Sequence, residues 1–446
     1  MGKLAYLFPA FPVFHQTFVL WEVLGLRRNG VQPRIFSLKT GSERQQPEAS
    51  EVAREVTYLP RLRSAEVWQA NWRALRNDPR RYLDLFVAVA AAWATGAIER
   101  PRETVADHRP LPLRDRLRGW YNRQPYLYLL KSWLLVPTAV ELAERLQQED
   151  ISHLHVHWAT YPTTVAFVVN RLTGIPFSFS AHAYDIYMVS RMLPAKIQAA
   201  RFVATCAEAN ASFLRQLART EDRDRIHVIY HGVDTARFVP AAKSSEPGAP
   251  LKIVSCGQLE RYKGFHQLIE ACGALQRQGI AIDCRIVGEG PWRGNLEQQI
   301  DQLGLRQSVH LLGARPHAEL AEMLAMADVF ALSSAIGGKS GRRDVIANVL
   351  VEAMAAGLPV IASRIPGAEE LITDGVSGLL IEPNRVDQLT EALRRLATDP
   401  SLRGKIGTAA RERILRDFDS SKNIQNLATM LAEAARDSAA RRSRAA

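Results

Sequence analysis

Along this chain, short apolar runs alternate with segments whose apolar residues recur at helical spacing. Leu4–Phe8 predicts a strand, Phe18–Asn29 a helix stopped by Gly30, and Pro33–Leu38 a second strand. An irregular helical stretch follows, and Pro137–Gln148 then predicts a helix with proline in its first turn. Ile151–Trp158, Phe177–Ala181, Arg201–Cys206 and Ile226–Tyr230 read as strands, with Thr163–Leu172 as the helix after the first of them. Residues 240–250, Pro-Ala-Ala-Lys-Ser-Ser-Glu-Pro-Gly-Ala-Pro, carry no periodicity and read as a linker.

Beyond the linker the alternation restarts. Leu251–Cys256, Asp283–Val287, Val309–Leu312, Val329–Leu332 and Pro359–Ala362 predict strands, and His266–Gln278, Trp292–Leu303 and Leu320–Met326 predict helices. Strands alternating with helices imply a parallel sheet covered on both faces. The expected fold class is therefore α/β, with two Rossmann-like, doubly wound domains facing a central cleft. Ligands are expected beyond the carboxyl ends of the strands. The expected boundaries are 1–238 for the first domain, with a basic helical insert at about 61–135, and 251–395 for the second. The segment 396–446 is expected to be helical and to pack back on the first domain, with its Arg441-Arg-Ser-Arg444 end lacking fixed structure.

Composition refines this picture. The 446 residues exceed one ordinary core, and 47% hydrophobic with 23% charged residues describes a globular protein. The four cysteines form no C-x-x-C pair, which reads as reduced structural thiols in a cytoplasmic enzyme. The N-terminus reads as a first strand rather than a signal peptide. The apolar run Leu85–Ile98 suits a buried or interfacial helix better than a membrane span.

The net charge of +11 is uneven. Fourteen Lys/Arg stand against seven Asp/Glu between Arg61 and Lys131, and Trp68, Trp72, Trp93, Trp120 and Trp133 lie in or beside that stretch. Arginine with tryptophan suits an anionic membrane surface. A helical insert with inward aromatics and solvated arginines has the same composition. No recognition motif accompanies the charge, so nucleic acid is not an expected partner.

The chemistry gathers at Asp344-Val-Ile-Ala-Asn-Val-Leu-Val-Glu352, followed by Ala-Met-Ala-Ala-Gly-Leu-Pro-Val. Asn348 reads as an N-cap, and Gly357 with Pro359 as the stop, so a helix is expected over about 349–356. Its first amides lack internal partners and suit a phosphate. Acids flanking a phosphate site are poor phosphate ligands but good acceptors for sugar hydroxyls. The pattern points to a nucleotide-sugar, and a capped helix with two solvated acids is the plainer reading of the same residues.

This signature resembles the E-x7-E motif of retaining glycosyltransferases of family 4, which have the GT-B fold. The resemblance extends over nearly the whole chain. Ser255-Cys-Gly-Gln-Leu-Glu-Arg-Tyr-Lys-Gly264 resembles the family's V-G-R-L-x-x-x-K-G turn, and Ala327-Asp-Val-Phe-Ala-Leu-Ser-Ser334 one of its strands. Ile286-Val-Gly-Glu-Gly-Pro291 and His231-Gly-Val-Asp-Thr-Ala-Arg-Phe238 resemble two further turns. His15-Gln-Thr-Phe18 and Ser180-Ala-His-Ala-Tyr-Asp-Ile186 resemble segments of exopolysaccharide, colanic-acid-type members.

The resemblance implies a metal-independent hexosyltransferase without cofactor. It would move a sugar from a nucleotide-diphospho-sugar to a lipid-linked or polysaccharide acceptor, as a peripheral protein at the cytoplasmic membrane face. It places Glu352 on the ribose, Asp344 and His182 at the transferred sugar, and Lys263 with the Asn348 and Val349 amides on the diphosphate. Thr17 and Asp185 fall on the acceptor side, and Arg315 lies near the base. Gln258 stands where the family carries arginine, a lost bidentate donor for which Arg261, Arg342 or Arg343 could substitute. Asp344 is one methylene shorter than the family's glutamate, and His231 replaces its asparagine.

Other patterns lead elsewhere. His153, His155 and His157 share one face of a strand, a possible metal rake without ligands from a second element. The strings Asp222-Arg-Asp224 and Asp417-Phe-Asp419 read as solvated. Gly288-Glu-Gly-Pro-Trp-Arg-Gly294 is a poor dinucleotide turn, which leaves an NAD-dependent oxidoreductase as a weaker alternative. A non-catalytic GT-B scaffold at the membrane is the other alternative, kept open by Gln258 and Asp344.

Overall fold

The computed structural model describes the chain except residues 1, 15, 43–45, 97–124, 183, 188–189, 241–248, 336–345 and 446. His15, Asp344, Arg342, Arg343, Trp120 and most of the expected linker lie outside the described residues. The chain divides into two compact units. Met1–Arg102, Asp107–Ile229 and Ile424–Ala446 contribute to the first, and Tyr230–Asn423 forms the body of the second.

The first unit is built on seven parallel strands: β1 (Lys3–Phe8), β2 (Arg34–Ser37), β3 (Thr57–Tyr58), β4 (Ile151–His157), β5 (Phe177–Ala181), β6 (Val203–Thr205) and β7 (Ile226–Val228). Their order is β3-β2-β1-β4-β5-β6-β7, so the winding reverses between β1 and β4. All seven residues of β4 are buried, as expected for a central strand covered on both faces. Its three histidines therefore need internal partners: Ser178 and Ser180 of β5 serve His153 and His155, while Glu22 and His182 serve His157. One core layer joins Leu4, Val19, Leu20 and Val23 with Ile424, Leu427 and Leu431 of the C-terminal helix. That helix runs from Ser420 to Ala445, so the Arg441–Arg444 stretch expected to lack structure is helical, in keeping with its alanine and arginine content.

The second unit contains β8 (Leu251–Cys256), β9 (Ile282–Val287), β10 (Val309–Gly313), β11 (Val329–Leu332), β12 (Val360–Ser363) and β13 (Leu379–Ile381). The order β10-β9-β8-β11-β12-β13 reverses between β8 and β11. The helix Pro400–Asp417 belongs to this unit, where Ile406, Ala410 and Ile414 enter its core.

Candidate functional site

In the second unit the reversal point brings together two segments, the turn after β8 and the chain after β11. Gly264 closes the first turn at φ +74°, and a Cβ there would lie 2.0 Å from the Ser333 carbonyl oxygen, so only glycine fits. Ser333 Oγ donates to Gly264 O at 2.9 Å, and Ala335 N to Tyr262 O at 2.7 Å. These bonds fix the short 3-10 turn Arg261–Lys263 against the end of β11. Lys263 runs alongside Gly257, with its ammonium 5.5 Å from the Tyr262 ring centroid.

Arg261 lies over Trp292, with its guanidinium carbon 5.5 Å from the ring centroid. Burial, then the Arg261 charge, push the neighbouring His266 down to about 4. Gln258 is exposed on the same turn. Arg315 is also exposed and reaches Glu319 at 3.6 Å.

The eight-residue helix Asn348–Ala355 begins one residue earlier than expected. Ala347, extended at φ −73° and ψ 116°, occupies the cap position and offers no side-chain acceptor. Asn348 is thus the first helical residue rather than the cap, and its Oδ1 lies 3.4 Å from His231 Nδ1. Glu352 sits one turn in and is buried, with Oε1 2.9 Å from His317 Nε2. His317 starts the helix His317–Met326 and stands edge-on to Phe238 at 5.2 Å. Cys256, at the end of β8, registers both site charges. Burial and then Glu352 push its thiol up to about 12, against the opposing pull of Lys263.

The first unit holds the other expected residues. Thr17 opens the helix Thr17–Arg28 and is half-buried. His182 follows β5; its ring lies edge-on to Phe18 at 5.3 Å and its Nε2 is 3.4 Å from His157 Nδ1.

Asp185, expected on the acceptor side, is engaged by the backbone. It is fully buried, and its two oxygens accept from the amides of His182 at 2.8 Å and Ala159 at 2.6 Å. It ties the loops after β4 and β5 together. Burial raises its carboxyl to about 6, against the pull of those amides and Lys196. Lys196, also fully buried, donates to Ala159 O at 2.8 Å, Thr160 O at 2.7 Å and Tyr128 Oη at 3.1 Å.

The β4 histidines engage structural partners, and the reading of Asp222 is corrected. The histidines of β4 form a hydrogen-bonded ladder: Ser178 Oγ lies 2.8 Å from His153 Nε2 and 2.7 Å from His155 Nδ1, and Ser180 Oγ lies 3.0 Å from His155 Nε2. Asp222 is buried and reaches Arg225 at 3.2 Å, rather than being solvated.

Sequence reasoning missed His317, Glu22 and Lys196. A lone acid in the apolar stretch Phe18-Val-Leu-Trp-Glu-Val-Leu24 was the available signal for Glu22. His317 carries no comparable signal.

Two parallel, doubly wound units, with cation, uncapped helix and held acid at the reversal point of the second, define a nucleotide-binding class of fold. Comparison with known proteins narrows the class. Residues 87–237 match the Glycosyltransferase Family 4 model and residues 240–413 the model for glycosyl transferases group 1. The chain thus carries glycosyltransferase family 4 and group 1 domains, in that order, and has the GT-B fold. WcaL of Salmonella typhimurium, named for colanic acid biosynthesis, is 37% identical over 209 residues, 47% of this chain and 51% of that protein. The amylovoran biosynthesis glycosyltransferase AmsK of Erwinia amylovora is 32% identical over 208 residues, again 47% and 51%. The chain thus spans about half the length of the curated relatives it matches. Anabaena HepE, solved in complex with UDP, superposes with a TM-score of 0.66 over 97% of this chain and 100% of that one, at 17% identity.

Proposed function

We propose that the protein is a retaining glycosyltransferase of exopolysaccharide biosynthesis, moving a hexose from a nucleoside-diphosphate sugar to a lipid-linked or polysaccharide acceptor. The observation that carries this reading is that Lys263 and the His317-held Glu352 both act on Cys256 at the end of β8, with the uncapped start of Asn348–Ala355 one turn before Glu352. Departure of a nucleoside diphosphate builds negative charge on the leaving oxygens. Amide dipoles and an ammonium aimed at that charge lower the barrier without a divalent ion. Glu352, desolvated and oriented, accepts from the ribose hydroxyls, while Asp344 and His182 serve the transferred sugar. Gln258, Arg261 and Arg315 complete the donor side, and Thr17 lies on the acceptor side. The Anabaena protein was also solved with UDP-glucose, which supports a nucleotide-sugar as donor.

The acceptor side is read as peripheral to an anionic membrane. Among the described residues no helix is long and apolar enough to cross a membrane. Trp68 and Trp72 are 69% and 67% exposed on one face of the helix Ala65–Asn77, and Leu83 and Val87 are exposed on Pro79–Ala94.

The test is a calorimetric screen of UDP-, GDP- and ADP-sugars, followed by transfer of labelled sugar from the binder to lipid-linked acceptors in EDTA. One donor should bind and be consumed with retained anomeric configuration. Binding without consumption across a broad acceptor panel would favour the scaffold reading.

A further inference from the structure

Sequence alternation runs β4 on through Trp158, yet the strand ends at His157, because Trp158 turns to φ +73°. A bulky residue rarely adopts that conformation, and a fold keeps it where the direction of the side chain matters. The backbone around it is tied on both sides. Its amide donates to Ser180 O at 2.9 Å, and its carbonyl accepts from Thr163 Oγ1 at 2.7 Å. The next amide, that of Ala159, is held by Asp185. The indole is thereby fixed at the carboxyl end of β4, beside β1, where the winding of the first sheet reverses. Ligands of doubly wound sheets collect at such a point.

Three rings set the attitude of the indole. Its centroid lies 5.1 Å from His182, 5.6 Å from His157 and 6.4 Å from Phe18. The planes are inclined by 52°, 57° and 55°, so none of these neighbours stacks flat on the indole. Trp158 is half-buried, and among the described residues its Nε1 is neither enclosed nor paired. A core tryptophan has its N–H satisfied or shut away, whereas this one keeps a donor at the surface of the unit. On one side it touches His182, expected at the transferred sugar, and on the other Phe18, next to Thr17 of the acceptor side.

We propose that the Trp158 indole is the platform on which the acceptor's terminal sugar lies. A pyranose presents a face of C–H bonds and a rim of hydroxyls. The C–H face packs on the indole, and one hydroxyl of the rim accepts from Nε1. Apolar surface with a single placed polar group is the usual composition of a small-ligand site. The ring is held before the sugar arrives, so little ordering is lost on binding. An acyclic polyol carries the same hydroxyls without the C–H face and does not fit.

The role in transfer rests on the proposed function, and sugar binding at Trp158 does not. Fluorine-19 NMR of protein labelled with 5-fluorotryptophan reads each indole, and the Trp158 signal is the one lost in Trp158→Phe. Methyl glycosides of glucose, galactose, mannose, fucose and N-acetylglucosamine are titrated without donor, with sorbitol as control. At least one glycoside should shift the Trp158 signal saturably, and sorbitol should leave it in place. No shift with any glycoside, or an equal shift with sorbitol, overturns the platform. With a working donor and acceptor, Trp158→Leu should raise acceptor KM by about tenfold, the scale of an aromatic contact. Trp158→Phe, which keeps a ring and loses the N–H, should raise it less, and it carries the test should the leucine variant not fold. Donor KM should stay within about twofold in both, a split that a loosened fold would not produce. An unchanged acceptor KM in the folded variants overturns the role in transfer. Saturable binding at Trp158 in an enzyme that transfers from no donor overturns the functional reading and leaves the platform standing.

Discussion

His317 Nε2 lies 2.9 Å from Glu352 Oε1, although the two residues start on different helices, 35 positions apart in the chain. A buried carboxylate with one oxygen engaged is oriented before any ligand arrives, which lowers the ordering lost on binding. Glu352→Ala should weaken nucleotide-sugar binding by about 1.5–3 kcal/mol, the usual range for hydrogen bonds to a charged group. His317→Asn should give a smaller loss of the same sign, about 1 kcal/mol. Titration calorimetry checks both. Equal donor affinity in native and Glu352→Ala proteins would contradict the ribose assignment.

Ala159 is held at both ends by buried charges, its amide by Asp185 and its carbonyl by Lys196. Removing one member leaves the other uncompensated in a low-dielectric interior. Lys196→Met should destabilise the protein by about 3–5 kcal/mol, measured by urea unfolding. Asp185 adds a pH signature. Its folded pKa of about 6 exceeds the reference 3.8, so its contribution is present below the reference value and lost as pH rises through about 6. Asp185→Asn should remove that component, and stability profiles of the two proteins that stay parallel between about pH 4 and 6 would refute it.

The β4 histidines act in the opposite direction. Burial, with Arg201 adding to it, pushes His153 down to about 3, and burial with the neighbouring histidines pushes His155 well below its usual value. A histidine kept neutral in the fold contributes stability above the unfolded value of 6.5, lost as pH falls toward the folded one. Each such group steepens acid destabilisation by about 1.4 kcal/mol per pH unit across that window. The native protein should lose stability from pH 6.5 downward, and His153→Gln should flatten the curve. Urea midpoints from pH 4 to 7 decide this.

Much of the fold was legible because buried parallel strands are short runs of Val, Ile and Leu with helices between them. Strand β3, only Thr57–Tyr58, and β13, Leu379–Ile381, were missed because two or three residues carry no period. Within the site, Glu352 stands out by its spacing from a glycine-proline stop, and Lys263 by its turn. His317 does not, because a contact made through tertiary packing leaves no trace in local order. Asp185 shows a complementary limit of pattern. Its motif identifies the residue and says nothing of its direction, and it turns inward to two backbone amides. The histidines of β4 could be assigned to one face from alternation alone, but their partners, Ser178, Ser180, Glu22 and His182, lie on other elements.

The exposed tryptophans offer the last prediction. Trp68 and Trp72 stand one helical turn apart, Leu83 and Val87 repeat that spacing on the next helix, and Tyr126, Leu130 and Leu134 do so on Pro125–Leu134. Exposed arginines, Arg76 and Arg80 among them, flank these apolar positions. Apolar rings beside guanidinium groups fit the interface of a bilayer bearing anionic headgroups. Exposed side chains contribute little to folding, so Trp68→Ser and Trp72→Ser should leave stability within about 0.5 kcal/mol. Each should weaken binding to phosphatidylglycerol vesicles by roughly tenfold, since burying a large apolar side chain is worth about 1.5–3 kcal/mol. Added salt should weaken the native protein's binding through the arginines. Urea unfolding reads the stability, cosedimentation with neutral and anionic vesicles measures the two binding effects, and equal partition of native and doubly substituted protein would remove the membrane from the account of how the acceptor is reached.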